Sequence, residues 1–221
     1  TRKKRMSDYQ INELLSTPDN VEIVRDQICG ILALETAHQF ELAEAAGELS
    51  KDDYNIKVYL ENDHPWELQT EEDESVFPLV NVSLVGDTRQ KGTDDRNKSN
   101  MTATFNIDCY ATGTFDGDGR LGRMATVKAW KTARIIRKIL CAANYSYLGL
   151  RGVVLSRSVD SRTTGMPSQQ SAAGRVCIVR IVMTVNLIEH SPQIEGVEIS
   201  PISLEILDDT GLVIVNMNQE E

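Results

Sequence analysis

No apolar run in these 221 residues approaches the roughly 20 that a membrane helix needs, and even the stretch Ile178 to Met183 is broken by Arg180. The sequence therefore predicts no helix that crosses a bilayer. The opening TRKKRMSDYQ has a cationic cluster but no apolar segment behind it, so it does not resemble a secretory signal and reads as a flexible basic tail over residues 1–15. Cysteines are few and far apart. Cys29, Cys109, Cys141 and Cys177 form no C-x-x-C pair, which excludes the common zinc and redox motifs, and each sits inside an apolar element. They are predicted to be buried free thiols, which suits a reducing compartment.

Catalytic signatures are missing as well. There is no G-x-S-x-G, no P-loop and no H-E-x-x-H, and His38, His64 and His190 fall in different elements. Glu35 and His38 make a single E-x-x-H step, whereas a carboxylate-bridged metal bundle needs a second one and further inward glutamates. Asp108, beside Cys109, could serve as an acid in a site built from distant residues, but polar side chains on the wet face of a strand are ordinary. The sequence predicts no catalytic residue, no cofactor site and no metal site, and hence not an enzyme.

One glycine motif tests that reading. GDGRLG, residues 117–122, has the G-x-G-x-x-G spacing of a dinucleotide cradle. Such a site also needs a strand buried on both faces, a parallel βαβ unit and a ribose-binding acid about 20 residues on. The preceding strand instead alternates with polar positions, and the next acid is Asp160. A calcium loop starting at Asp116 fails too, because Val127 stands at the position of its bidentate glutamate. The motif reads as a sharp strand-to-helix turn in which glycines permit positive φ and an Asp caps the helix.

What the chain does have is segregated charge. The net charge of −10 hides nine bases and no acid between Gly119 and Val159, seven acids and no base from Glu61 to Glu74, and eight acids with no Lys or Arg after Arg180. Blocks of like charge either face solvent or meet a complementary surface.

Periodicity supplies the elements. Ser16-Thr17-Pro18-Asp19 signals a helix start, with a capping hydroxyl and a proline for the first turn, and Val21, Val24, Ile28, Ile31 and Leu32 continue an amphipathic helix toward Phe40 or Gly47. Strands are predicted at Tyr54 to Leu60, Phe77 to Val85, Thr102 to Tyr110, Val153 to Val159 and Val176 to Leu187. The polar stretches 86–100 and 161–174 read as long loops. Leu121 to about Ala143 is the clearest helix. At about 100° per residue, Leu121, Ala125, Ala129, Ala133, Ile136, Ile139, Leu140 and Ala143 share one face, and Arg120, Arg123, Lys131, Arg134 and Lys138 the opposite one. Trp130 stands at the boundary as a packing anchor. Residues 191–221 read as a linker and a terminal hairpin, in which ISLEIL and LVIVNM flank the turn at Asp208 to Gly211. The predicted class is α+β: a mostly antiparallel sheet with two main helices, long polar loops and a C-terminal hairpin, the main domain spanning residues 16–190.

This order, together with the texture of GRMATVKAWKTARIIRKIL leading into VVLSRSVDS and VCIVRIVMTVNL, resembles the tail terminator, or tail completion, proteins of long-tailed bacteriophages over roughly Val21 to His190. The resemblance implies an α+β sandwich assembled head to tail into a ring of six. Such a ring caps the tail tube, meets the neck or connector proteins and the sheath where a tail has one, and lets genomic DNA pass through its lumen without sequence-specific binding. It implies a virion protein assembled in the host cytoplasm.

The charge blocks fit a ring on their own terms, because a heterologous interface joins two different patches of one subunit. Glu61, Glu67, Glu71, Glu72, Asp73 and Glu74 could face Arg120, Arg123, Lys131, Arg134 and Lys138 of the next subunit; alternatively the segments pair within one chain or face water. Other readings are another neck or baseplate subunit, a nucleic-acid-binding protein using the basic helix and the RKKR tail, and a small-molecule enzyme using the 117–122 turn. The overall acidity argues against the nucleic-acid reading.

Overall fold

The computed structural model describes residues 18–48, 51–62, 78–90, 98–112, 121–165, 176–190, 205–207 and 213–216; of residues 121–123, 165, 205–207 and 213–216 only the backbone is described. Pro18–Ser191 forms one compact unit. The first helix, α1, spans Asn20–Ala45. The Asp19 carboxylate caps it by accepting from the Glu22 N–H at 2.7 Å. Pro18 thus precedes the cap instead of filling the first turn, and Ser16 and Thr17 lie outside the described residues. At the other end Gly47 takes φ +67°, and the amides of Gly47 and Glu48 donate to the carbonyls of Glu44 and Ala43. That left-handed turn ends the helix.

Five strands form one sheet: β1 (Lys57–Leu60), β2 (Leu79–Arg89), β3 (Lys98–Thr112), β4 (Val154–Gly165) and β5 (Val176–His190), in the order β1-β2-β3-β5-β4. Only the β1 to β2 pairing is parallel. Tyr54, expected in the first strand, ends a 3₁₀ turn over Lys51–Tyr54. Several strands are longer than the hydrophobic pattern indicates. Thr88 pairs with Thr102 and Arg89 with Met101, while Thr163 pairs with Arg180, so parts of both predicted loops are strand. These added residues are polar because they sit on the wet face or at the sheet's ends.

Alternation in β3 and β5 sends Ala103, Phe105, Ile107, Cys109 and Val179, Ile181, Met183, Val185 to one face, all buried. On that face lie α1 and the second helix, α2 (Leu121–Cys141), whose Ala125, Ala129, Ala133, Ile136 and Leu140 join the same core. The small alanines let α2 settle close to the strands, and Phe105 fills the space between. Ala143 leaves the predicted apolar face, lying exposed in a 3₁₀ turn after the helix. Leu121 and Gly122 of the glycine motif open α2, and residues 117–120 lie outside the described ones.

The opposite face of the sheet is hydroxyl- and amide-rich. Asn186 links Thr102, Gln90 and Ser156 through hydrogen bonds of 2.8–3.0 Å, and Asp160 accepts from Ser158 and Thr184. In the second unit β6 (Glu205–Leu207) and β7 (Val213–Asn216) pair antiparallel, as the terminal hairpin requires.

Candidate functional site

The basic helix is the place to look for a surface, and its residues separate into two roles. On one side of α2 Lys131 forms an ion pair with Asp53 of the 3₁₀ turn, both side chains about a third exposed. Lys131 is therefore a link inside the subunit. Arg134 and Lys138 stay exposed, and Arg137, which the sequence pattern did not single out, is exposed with them. Two large apolar side chains interrupt this cationic surface, Met124 at 43% and Val127 at 57% exposure. A solvent-facing stripe that mixes arginine with uncovered apolar groups has the composition of a contact surface.

Trp130, half-buried, anchors the stripe to the sheet. The Arg162 guanidinium of β4 lies over its ring at 5.3 Å. At the C-terminal end of the helix Arg157 of β4 reaches under the last turn, its Nε donating to the Tyr145 carbonyl at 2.6 Å and Nη2 to the Ala142 carbonyl at 2.9 Å. The cation adds a second donor to each carbonyl, which already accepts a backbone amide, Ala142 from Tyr145 and Tyr145 from Leu148, and burial pulls its pKa down from the usual arginine value. Nothing in the sequence pattern marked Arg157 or Arg162, because the contact crosses elements far apart in the chain.

The acidic half of the predicted pair is placed differently. Glu61 has φ +47°, accepts the Leu84 N–H at 2.8 Å and stands 3.7 Å from Arg25, so it too is engaged within the subunit. Glu67, Glu71, Glu72, Asp73, Glu74 and Arg120 lie outside the described residues, and of Arg123 only the backbone is described, in the first turn of α2.

Asp108 is the other residue whose setting differs from expectation. It is buried on the polar face of the sheet, where Arg180 of β5 grips it through two 2.7 Å hydrogen bonds, Nε to Oδ1 and Nη2 to Oδ2. The neighbouring Asn81, also buried, exchanges hydrogen bonds of 3.0 and 2.9 Å with the Asn62 backbone. Burial pushes the Cys109 thiol and the Tyr110 phenol well above their usual ranges. Glu35 accepts from the Tyr145 hydroxyl, which ties α1 to the turn after α2 and raises the phenol's pKa. The cysteines divide: Cys109 and Cys177 are buried, Cys29 is half-buried, and Cys141 is exposed at the end of the basic stripe, against the expectation that all four are buried.

No protein-family profile matches the chain, and no curated protein does either. Among solved structures it is similar to a chain in the virion of the native gene transfer agent (GTA) particle, at 12% identity and a TM-score of 0.38, with 68% of this chain and 84% of that one covered. A likeness of that degree assigns no function, so the functional reading rests on the residues of this chain.

Proposed function

We propose that this chain is a structural subunit of a long-tailed phage particle, assembled head to tail into a six-membered ring that caps the tail tube and joins it to the neck, with DNA passing through the lumen. The observation that carries the reading is the exposed stripe of Met124, Val127, Arg134, Arg137 and Lys138 on α2, presented by a protein whose net charge is −10. Within an acidic molecule a basic stripe with uncovered apolar groups finds its complement on another copy, and steering between unlike surfaces speeds encounter and fixes register. The α+β layering, with two helices on one face of a mostly antiparallel sheet, agrees with the architecture that the resemblance in element order implies. Tail tube and connector proteins, and the sheath where a tail has one, are the partners on this reading, and the particle is its location.

Electron-microscope imaging of the purified full chain tests the proposal. Six-fold rings with an open centre are expected; a field of single particles the size of one chain, at micromolar concentration and low salt, would overturn it.

A further inference from the structure

Resting on the ring reading, we infer that the α2–β4 flank of one subunit docks on the groove between α1 and β1 of a second copy. The topology fixes where these two surfaces lie. β1 and β4 are the two ends of the sheet, separated by four inter-strand steps. At about 4.8 Å per step the two edge strands stand roughly 19 Å apart, so β1 and β4 meet only between copies; α2 lies nearer, its Lys131 already reaching Asp53 beside the groove within one subunit. A contact between opposite ends of one subunit is heterologous and repeats from copy to copy, giving a ring where the rotation per subunit closes.

The receiving end is open and acidic. The amides of Lys57 and Glu61 donate to Pro78 and Val82 on the β2 side, at 3.0 and 2.9 Å. The alternate residues, Val58 and Leu60, therefore turn their main-chain groups outward, where no described strand pairs them. Beside this edge runs a groove of about 430 Å³ whose lining includes Phe40, Glu41, Glu44, Tyr54, Val58 and one base, the exposed Lys57. From Glu41 to Asp53 there are five acids and one base; Lys51 binds Glu44 at 2.9 Å, and Asp53 is held by Lys131 of the same subunit. Glu41 is exposed and has no basic partner among the described residues.

The opposite end carries the complement. Between Arg134 and Thr164 there are six bases and one acid, Asp160, and that acid accepts hydrogen bonds from Ser158 and Thr184. Trp130, Arg134, Arg137 and Cys141 recur at helical spacing on one side of α2, the side that the Trp130–Arg162 contact aims at β4. β4 itself bulges at two points, between Val154 and Ser156 and between Val159 and Ser161. Bulges blunt an edge against strand addition, so this flank makes its contact through side chains. Arg134 and Arg137 meeting Glu41 and Glu44 would set the register of the ring.

Charge exchange in the full chain tests the pairing by sedimentation. The variant Glu41→Arg/Glu44→Arg and the variant Arg134→Glu/Arg137→Glu should each raise the dissociation constant at least tenfold, and the four changes combined should return it to within about threefold of wild type. A second measurement does not depend on those variants folding: with Cys141 native, Glu41→Cys should give disulfide-linked oligomers on mild oxidation, and Cys141→Ser should abolish them. Wild-type assembly that the acidic-side variant leaves unchanged, or the absence of cross-linked oligomers, overturns the pairing alone. A wild-type chain that stays monomeric overturns the ring reading and the pairing with it.

Discussion

Replacing Arg180 by methionine should damage the fold far more than replacing Asp108 by asparagine, although both changes break the same ion pair. The reason is the difference in burial: the Asp108 side chain is 6% exposed and that of Arg180 is 47% exposed. Without Asp108 the guanidinium swings into water, and Asn keeps one acceptor in place, so the cost is about 1 kcal/mol. Without Arg180 a buried carboxylate loses both of its 2.7 Å donors, for which about 3–5 kcal/mol is expected. Urea denaturation of the two variants at one pH measures the difference directly. Equal losses for the two variants would refute the reasoning.

Three further outcomes follow from single contacts. Arg157→Met should destabilise by about 1 kcal/mol in the same urea assay, because the Ala142 and Tyr145 carbonyls each lose one of their two donors. A thiol reagent should modify exposed Cys141 within minutes and leave Cys109 untouched until the chain unfolds, as mass spectrometry of the native protein will show; early modification of Cys109 would contradict its place in the core. Glu189, whose pKa burial raises above the ordinary 4.5, holds its proton more tightly in the folded state, so its ionisation costs stability as pH rises from that value. Glu189→Gln should thus gain on wild type as pH is raised through that window, in thermal melts at stepped pH.

Much of the fold was legible because its core obeys simple periods. Phe105, Ile107 and Cys109 alternate, Ala125, Ala129, Ala133, Ile136 and Leu140 follow helical spacing, and both patterns survive as buried faces. The ends of strands were not legible, since Thr88, Arg89 and Thr163 are held by pairing while their side chains are those of a loop. Asp108 misled for a related reason: alternation puts it on the polar face, but only the register with Arg180 shows that this part of the face is closed. Charge blocks indicated a polarised molecule, yet one-dimensional blocks do not say which members are already paired. Lys131 with Asp53, and Glu61 with Leu84 and Arg25, are contacts between residues 20 or more apart, whereas Arg137, Arg162 and Glu41 emerge only when helix, strand and sheet edge are placed together.

Sedimentation equilibrium across concentration and salt addresses the central claim, that opposite charged ends of identical subunits close into a ring. A mass of about 148 kDa, six copies of the 24.6 kDa chain, is expected at low salt, with dissociation as ionic strength rises. A constant 24.6 kDa at every concentration and salt would contradict it.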